Sequence, residues 1–138
     1  MINLETSKLS IIIPCYNELN TIDKIIQKIK NSLINYNYLN YEIIIVDDNS
    51  NDGTKEKLKE YDLDDKFKIH FHEKNLGKGG AIQSAIQFVT GDLIIIQDAD
   101  LEYDPFDYPK LLLPFVETDA DVVYGSRFLG GGKYTRIH

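Results

Sequence analysis

The chain has 138 residues, 43% of them hydrophobic and 27% charged, with a net charge of −7 and a pI near 4.9. That length fits a single domain over 1–138 with a real core, and no apolar stretch approaches the ~20 residues of a membrane span. The acidic balance excludes a nucleic-acid partner, whose phosphates it would repel, and suits a site that recruits a divalent cation.

The opening segment MINLETSKLS has no basic stretch leading into an apolar one, so no secretory signal is expected. Leu9–Ile13 is the first apolar run and predicts a strand. Pro14-Cys15-Tyr16-Asn17-Glu18 follows it. Pro14 has no N–H and is expected to end the ladder. Tyr16 offers an aromatic face and Glu18 a carboxylate, a pair suited to a base and its polar edge, although a plain strand-to-helix turn has the same composition. Cys15, the single cysteine, excludes an intrachain disulfide and suits a reducing compartment such as the cytoplasm. With no His/Asp partnership nearby it reads as a small buried residue, not a nucleophile.

Ile22, Ile25, Ile26, Ile29 and Leu33 recur at helical spacing, with Asn20 as the expected cap and Asp23 three residues on. Glu42–Val46 predicts the second strand, and Asp47 and Asp48 stand at its end. Carboxylates there suit ribose hydroxyls, and two adjacent ones repel each other unless donors or a ligand separate them. Asn51 to Thr54 read as turn chemistry, opening a short helix to about Tyr61. Phe67–Phe71 predicts the third strand. His70 and His72 are two apart, so they share a face and read as strand-surface residues. The segment 73–80 (EKNLGKGG) is a Gly-rich helix start that favours anions, with Lys78 in reach of a diphosphate. It lacks the P-loop spacing. The helix is expected from about Gly79 to Val89, with Gly91 as its stop.

Leu93–Ile96 predicts the fourth strand, and Asp98, Asp100 and Glu102 follow at intervals of two residues. A hydrophobic strand that delivers alternate carboxylates suits a hard cation, Mg²⁺ or Mn²⁺, completed by substrate phosphates. A further, irregular helix is expected from Pro105, interrupted by Pro109 and Pro114, then a strand at Asp121–Tyr124. Arg127 follows it, with a planar fork that matches phosphate oxygens or a surface carboxylate equally well. Gly130 to Gly132 is the one stretch expected to be flexible. Strands alternating with helices predict an α/β fold, a three-layer α/β/α sandwich with a mainly parallel sheet, and ligands at the carboxyl ends of its strands.

In this order, the blocks IIIPCYNE (11–18), EIIIVDDNSNDGT (42–54), NLGKGGA (75–81), GDLIIIQDADLEYDP (91–105) and DVVYGSRFLGG (121–131) resemble the family 2 glycosyltransferases of GT-A fold. The polyprenyl-phosphate (dolichol-phosphate) mannosyl- and glucosyltransferase group is the nearest match. The resemblance implies a Rossmann-like donor half in which Pro14, Tyr16, Glu18 and Asp47 line the nucleoside pocket and Asp48 orders its loop. Asp98-Ala99-Asp100 would be the DxD motif that meets the diphosphate through Mg²⁺ or Mn²⁺. Glu102 stands where some relatives have a Gln ligand, and adds a full negative charge. Arg127 would meet phosphate near the sugar, with Arg136 a second candidate.

The implied reaction is inverting transfer of a hexose from UDP-glucose or GDP-mannose to a polyprenyl phosphate, at the cytosolic face of a membrane. The acceptor side normally lies in sequence beyond the equivalent of His138. The alternative expectation is therefore a donor-binding module that needs more chain, a second copy or a membrane-bound partner to turn over. A phospho-receiver domain would need an acidic pair where Pro14-Cys15 stands. A nucleotidyltransferase would need a Gly-rich, Arg-bearing loop there.

Overall fold

β-branched runs build the strands, because isoleucine and valine pack well on a pleated surface buried on both faces. The computed structural model describes residues 7–34, 40–100, 122–125 and 134–137. The strands are β1 (Lys8–Cys15), β2 (Asn40–Asp47), β3 (Phe67–Phe71), β4 (Leu93–Ile96), β5 (Val122–Gly125) and β6 (Tyr134–Ile137). Among the described residues they form one sheet in the order β3-β2-β1-β4-β5-β6. β1 to β5 run parallel, and β6 returns antiparallel along β5. β6 was not foreseen; it follows the glycine run expected to be flexible. The helix expected from Pro105 lies outside the described residues.

Three helices complete the described part: α1 (Ile22–Leu33), α2 (Thr54–Lys59) and α3 (Gly77–Ile86). Period-2 alternation sends neighbouring strand residues to opposite faces. Ile11, Ile13, Ile43 and Ile45 pack with Ile22, Ile25, Ile26, Ile29 and Leu33 of α1 and with Leu58 of α2. Ile12, Ile44, Val46 and Ile96 pack with Ala81 and Ala85 of α3 on the other side. This is the expected three-layer sandwich. Burial of the five apolar residues of α1 contributes roughly 8–15 kcal/mol of gross hydrophobic free energy, most of it offset by chain ordering.

Three local expectations change. Pro14 does not end β1, which pairs with β2 as far as Cys15 opposite Asp47. It does fall where β1 and β4 part: their pairing ends at Ile12 opposite Ile96, closed by Gln97 N–H to the Ile12 carbonyl at 2.8 Å. By alternation the Pro14 nitrogen lies on the β4 side, where no donor is needed.

Asn20 is not the cap of α1. Thr21 holds that position and makes no capping bond, its hydroxyl being engaged elsewhere.

Gly91 does not stop α3, which ends at Ile86. It is instead a point of close approach, donating its N–H to Ser10 Oγ at 2.9 Å. A Cβ there would lie 2.4 Å from that oxygen and 2.7 Å from the Lys8 carbonyl.

Opposite the carboxyl ends of the strands, Glu42 fastens the sheet. Its buried carboxylate accepts from Ser10 Oγ at 2.6 Å and Thr90 N–H at 2.8 Å, and pairs with Lys68 at 2.8 Å. Burial would raise its pKa; the bonds from Lys68, Ser10 and Thr90 outweigh that and lower it to about 2.

Candidate active site

The strand order reverses direction between β1 and β4. In open α/β sheets that switch point is where loops diverge and leave a crevice. A cavity of about 280 Å³ opens there, at the small end for ligand sites. Pro14, Cys15, Tyr16 and Glu18 line one side, Asp98, Ala99 and Asp100 another, and Asp48, Lys78 and Ala81 the third.

The loop after β1 is locked to the loop after β2. Asp48 N–H donates to the Cys15 carbonyl at 2.8 Å and Asn17 N–H to Ser50 Oγ at 2.8 Å. Asn51 N–H donates to Asn17 Oδ1 at 2.9 Å, and Glu18 N–H to Thr54 Oγ1 at 3.1 Å. Asn17 and Asn49 take left-handed φ values of 52° and 65°, which asparagine tolerates better than most residues. Tyr16 is left 45% exposed at the cavity rim. The Cys15 thiol is buried, and burial together with the nearby Asp47 and Glu18 carboxylates pushes its pKa far up, so it is no nucleophile.

The two adjacent aspartates separate by strand alternation. Asp47 is fully buried, accepting from Ser50 N–H at 3.0 Å and Ser50 Oγ at 2.5 Å. It does not line the cavity. Asp48 turns to the other face and does line it. Its carboxylate accepts from His72 Nδ1 at 2.9 Å and from the Leu76 and Gly77 N–H groups, each at 2.8 Å. Burial would raise the Asp48 pKa; these donors reverse the effect and hold it below the ordinary carboxylate range.

The α3 N-terminus, expected to receive a ligand anion, is thus already occupied by an internal one. Gly77, at φ 84°, lets the chain turn into the helix there, two residues earlier than the sequence suggested.

His72 is not a strand-surface residue. It lies past β3, is buried, and links Asp48 to Ser84 Oγ of α3 through Nε2 at 2.7 Å. Sequence reasoning also missed Thr21. Its hydroxyl lies 2.8 Å from Glu18 Oε2 and 2.7 Å from the Ala99 carbonyl. One proton serves two acceptors, so Thr21 ties the Glu18 wall to the acidic wall.

Beyond β4, Asp98 is partly buried and pairs with Lys78 Nζ at 2.5 Å, while Asp100 is exposed at the cavity. Among the described residues no three His, Cys, Asp or Glu side chains form a closed metal cage. Glu102 and Arg127 lie outside the described residues, as does the Arg136 side chain. Two hard carboxylates on one wall still fit Mg²⁺ or Mn²⁺, which take one or two carboxylates and leave positions for phosphate oxygens.

A dolichol-phosphate mannosyltransferase of Pyrococcus furiosus is 36% identical over 126 residues, covering 91% of this chain and 35% of that protein. A dodecaprenyl-phosphate galacturonate synthase of Rhizobium johnstonii is 27% identical over 126 residues, covering 90% of this chain and 37% of that protein. The chain therefore spans about a third of the length of these relatives. Among solved structures, a mannosyltransferase of Pyrobaculum calidifontis in complex with GDP-Man and Mn²⁺ superposes with a TM-score of 0.59 at 27% identity, covering 70% of this chain and 29% of that one. The sheet order and layering are those of the GT-A fold. The family model described as glycosyl transferase family 2 matches residues 10–138, and the chain belongs to that family.

Proposed function

We propose that the chain is the donor-binding part of a hexosyltransferase that moves a sugar from a nucleoside-diphosphate sugar to a polyprenyl phosphate. The observation that carries this reading is the cavity at the β1/β4 switch point, where Tyr16, Glu18, Lys78, Asp98 and Asp100 converge. Each side chain has a distinct task there. Tyr16 supplies an exposed face on which a base stacks. Glu18, steadied by Thr21, accepts hydrogen bonds from the nucleoside. Pro14 and Ala99 form apolar wall. Asp48 and Asp47 hold the loops that frame the nucleoside. Lys78 provides positive charge for the diphosphate. Asp98 and Asp100, with Glu102, would hold Mg²⁺ or Mn²⁺, which would supply positive charge to neutralise the departing diphosphate. Arg127 is assigned to phosphate near the sugar.

The acceptor's phosphate oxygen attacks the anomeric carbon from the face opposite the nucleoside diphosphate. The bond to the leaving oxygen breaks as the new one forms, so the configuration inverts. A phosphate oxyanion is already a nucleophile at neutral pH, and no strong base is required of the protein. The residues on hand position the donor and stabilise charge. The relatives named for dolichol-phosphate and dodecaprenyl-phosphate support a lipid-phosphate acceptor, and with such an acceptor the protein would work beside a cytosolic membrane face. No helix among the described residues is long and apolar enough to cross a membrane.

A thermal-shift panel tests the donor: UDP, GDP, UDP-glucose and GDP-mannose, each with and without Mn²⁺. The true donor raises the melting temperature in a metal-dependent way by mass action, and no shift with any of them refutes the reading. Transfer to a short-chain polyprenyl phosphate is then assayed with that donor. Binding without transfer assigns catalysis to a longer chain, a second copy or a partner; the chain's spanning a third of its relatives' length favours keeping this second reading.

A further inference from the structure

We propose that Lys78 is a resident counter-cation on Asp98 that makes metal loading conditional on a bound diphosphate. The proposal rests on the donor site described above and adds an order of events to it.

Lys78 Nζ lies 2.5 Å from Asp98 Oδ1, and both residues line the cavity together with Asp100. The lysine is not placed there by chance of a long side chain alone. It is the second residue of α3, and the start of α3 is pinned by Asp48 through the Leu76 and Gly77 amides. Asp48 is in turn held by His72. The ammonium is therefore presented to Asp98 from a fixed backbone.

An ammonium at this distance already offsets the carboxylate charge that would attract a divalent cation. The ammonium beside it also repels any such cation. Without a ligand, Lys78 cancels one of the two negative charges that Asp98 and Asp100 would present to a divalent ion. A diphosphate changes both terms: it gives Lys78 another anion and gives the metal further oxygens. The pair is easily exchanged in this way, because the lysine side chain is 46% exposed and such ion pairs are weak. Metal and diphosphate then strengthen each other's binding, and by linkage the factor is the same in both directions.

The test is Mn²⁺ binding to the full chain without nucleotide, followed by the electron paramagnetic resonance signal of free Mn²⁺. Lys78→Met should bind Mn²⁺ about tenfold more tightly than wild type, from the loss of one positive charge a few Å from the site in a water-like dielectric. Lys78→Arg should show no gain. Calorimetric titration with GDP and with UDP should show that Mn²⁺ strengthens nucleotide binding by a smaller factor in Lys78→Met. Lys78 is half-exposed, so unchanged melting of the variants is expected and is checked. Mn²⁺ affinity in Lys78→Met equal to or weaker than wild type overturns the proposal. If Asp100→Asn nonetheless abolishes Mn²⁺-dependent nucleotide binding, the donor site itself stands. If wild type binds neither nucleotide even with Mn²⁺, the donor reading falls and takes this proposal with it.

Discussion

His72→Ala removes the side chain that joins Asp48 to Ser84 and so anchors the start of α3. Three losses are expected. The bond to the buried Asp48 carboxylate, at 2.9 Å, is charge-assisted and contributes about 1.5–3 kcal/mol. The bond to Ser84 Oγ at 2.7 Å adds about 0.5–1.5 kcal/mol. The buried ring leaves a void. Part of this is recovered, since Asp48 keeps the Leu76 and Gly77 amides, and a net loss of about 2–4 kcal/mol at pH 7 is expected. For a domain of this size that lowers the melting temperature by roughly 8–14 °C.

A pH signature accompanies it. Asp48 titrates below its ordinary value in the folded protein, so its contribution is present above the unfolded pKa and lost as pH falls through the folded one. Without His72 the folded value moves up towards the unfolded one, so less stability is lost on acidification and that loss is complete at a higher pH. Urea midpoints between pH 7 and pH 3, read by circular dichroism, measure both effects. His72→Asn keeps an N–H for Asp48 and should restore about half of the loss. An alanine variant within about 0.5 kcal/mol of wild type, with an unchanged acid limb, would refute the account of this bridge.

Asp100→Asn should abolish transfer and metal-dependent nucleotide binding while melting stays near wild type, because Asp100 is exposed; normal transfer would remove it from the metal site. Arg127→Ala should lower transfer more than nucleotide affinity, compared by steady-state kinetics and calorimetry. Glu42 contributes stability that is complete above its unfolded value of about 4.5 and lost as pH falls towards 2, roughly 3 kcal/mol in all. Glu42→Gln should therefore flatten acid denaturation between pH 5 and 2 and leave nucleotide affinity intact. Gly91→Ala should cost about 1–3 kcal/mol, read by denaturant unfolding, because two of the three atoms its Cβ would meet belong to the β1 backbone.

The sheet was legible because its central strands are unbroken apolar runs, whose pattern depends only on near neighbours. Leu93–Ile96 and Phe67–Phe71 were found to the residue. The acidic end of β4 and the helix of regularly spaced isoleucines were equally plain. What the sequence hid are bonds between distant residues. Nothing local tells that Asp48 caps α3 across 29 positions, or that His72 leaves the strand surface to meet it. Asp47 and Asp48 are the same residue type side by side; only the parity of β2 decides which one reaches the cavity. Gly91 looked like a helix stop, and its reason is instead an approach to Ser10 from 81 residues away. β6 follows a glycine run and has only four residues, too few to show a period.

The stitching between the loops after β1 and β2 has a dynamic consequence. Asn17 donates to Ser50 and accepts from Asn51, while Ser50 donates in turn to Asp47 of its own segment, so neither loop can open without breaking the other's bonds. The two segments form one cooperative unit, and their amides should exchange with solvent at a common rate. A ligand entering the cavity meets a preformed wall, and whatever flexing accompanies its binding comes from elsewhere around the cavity.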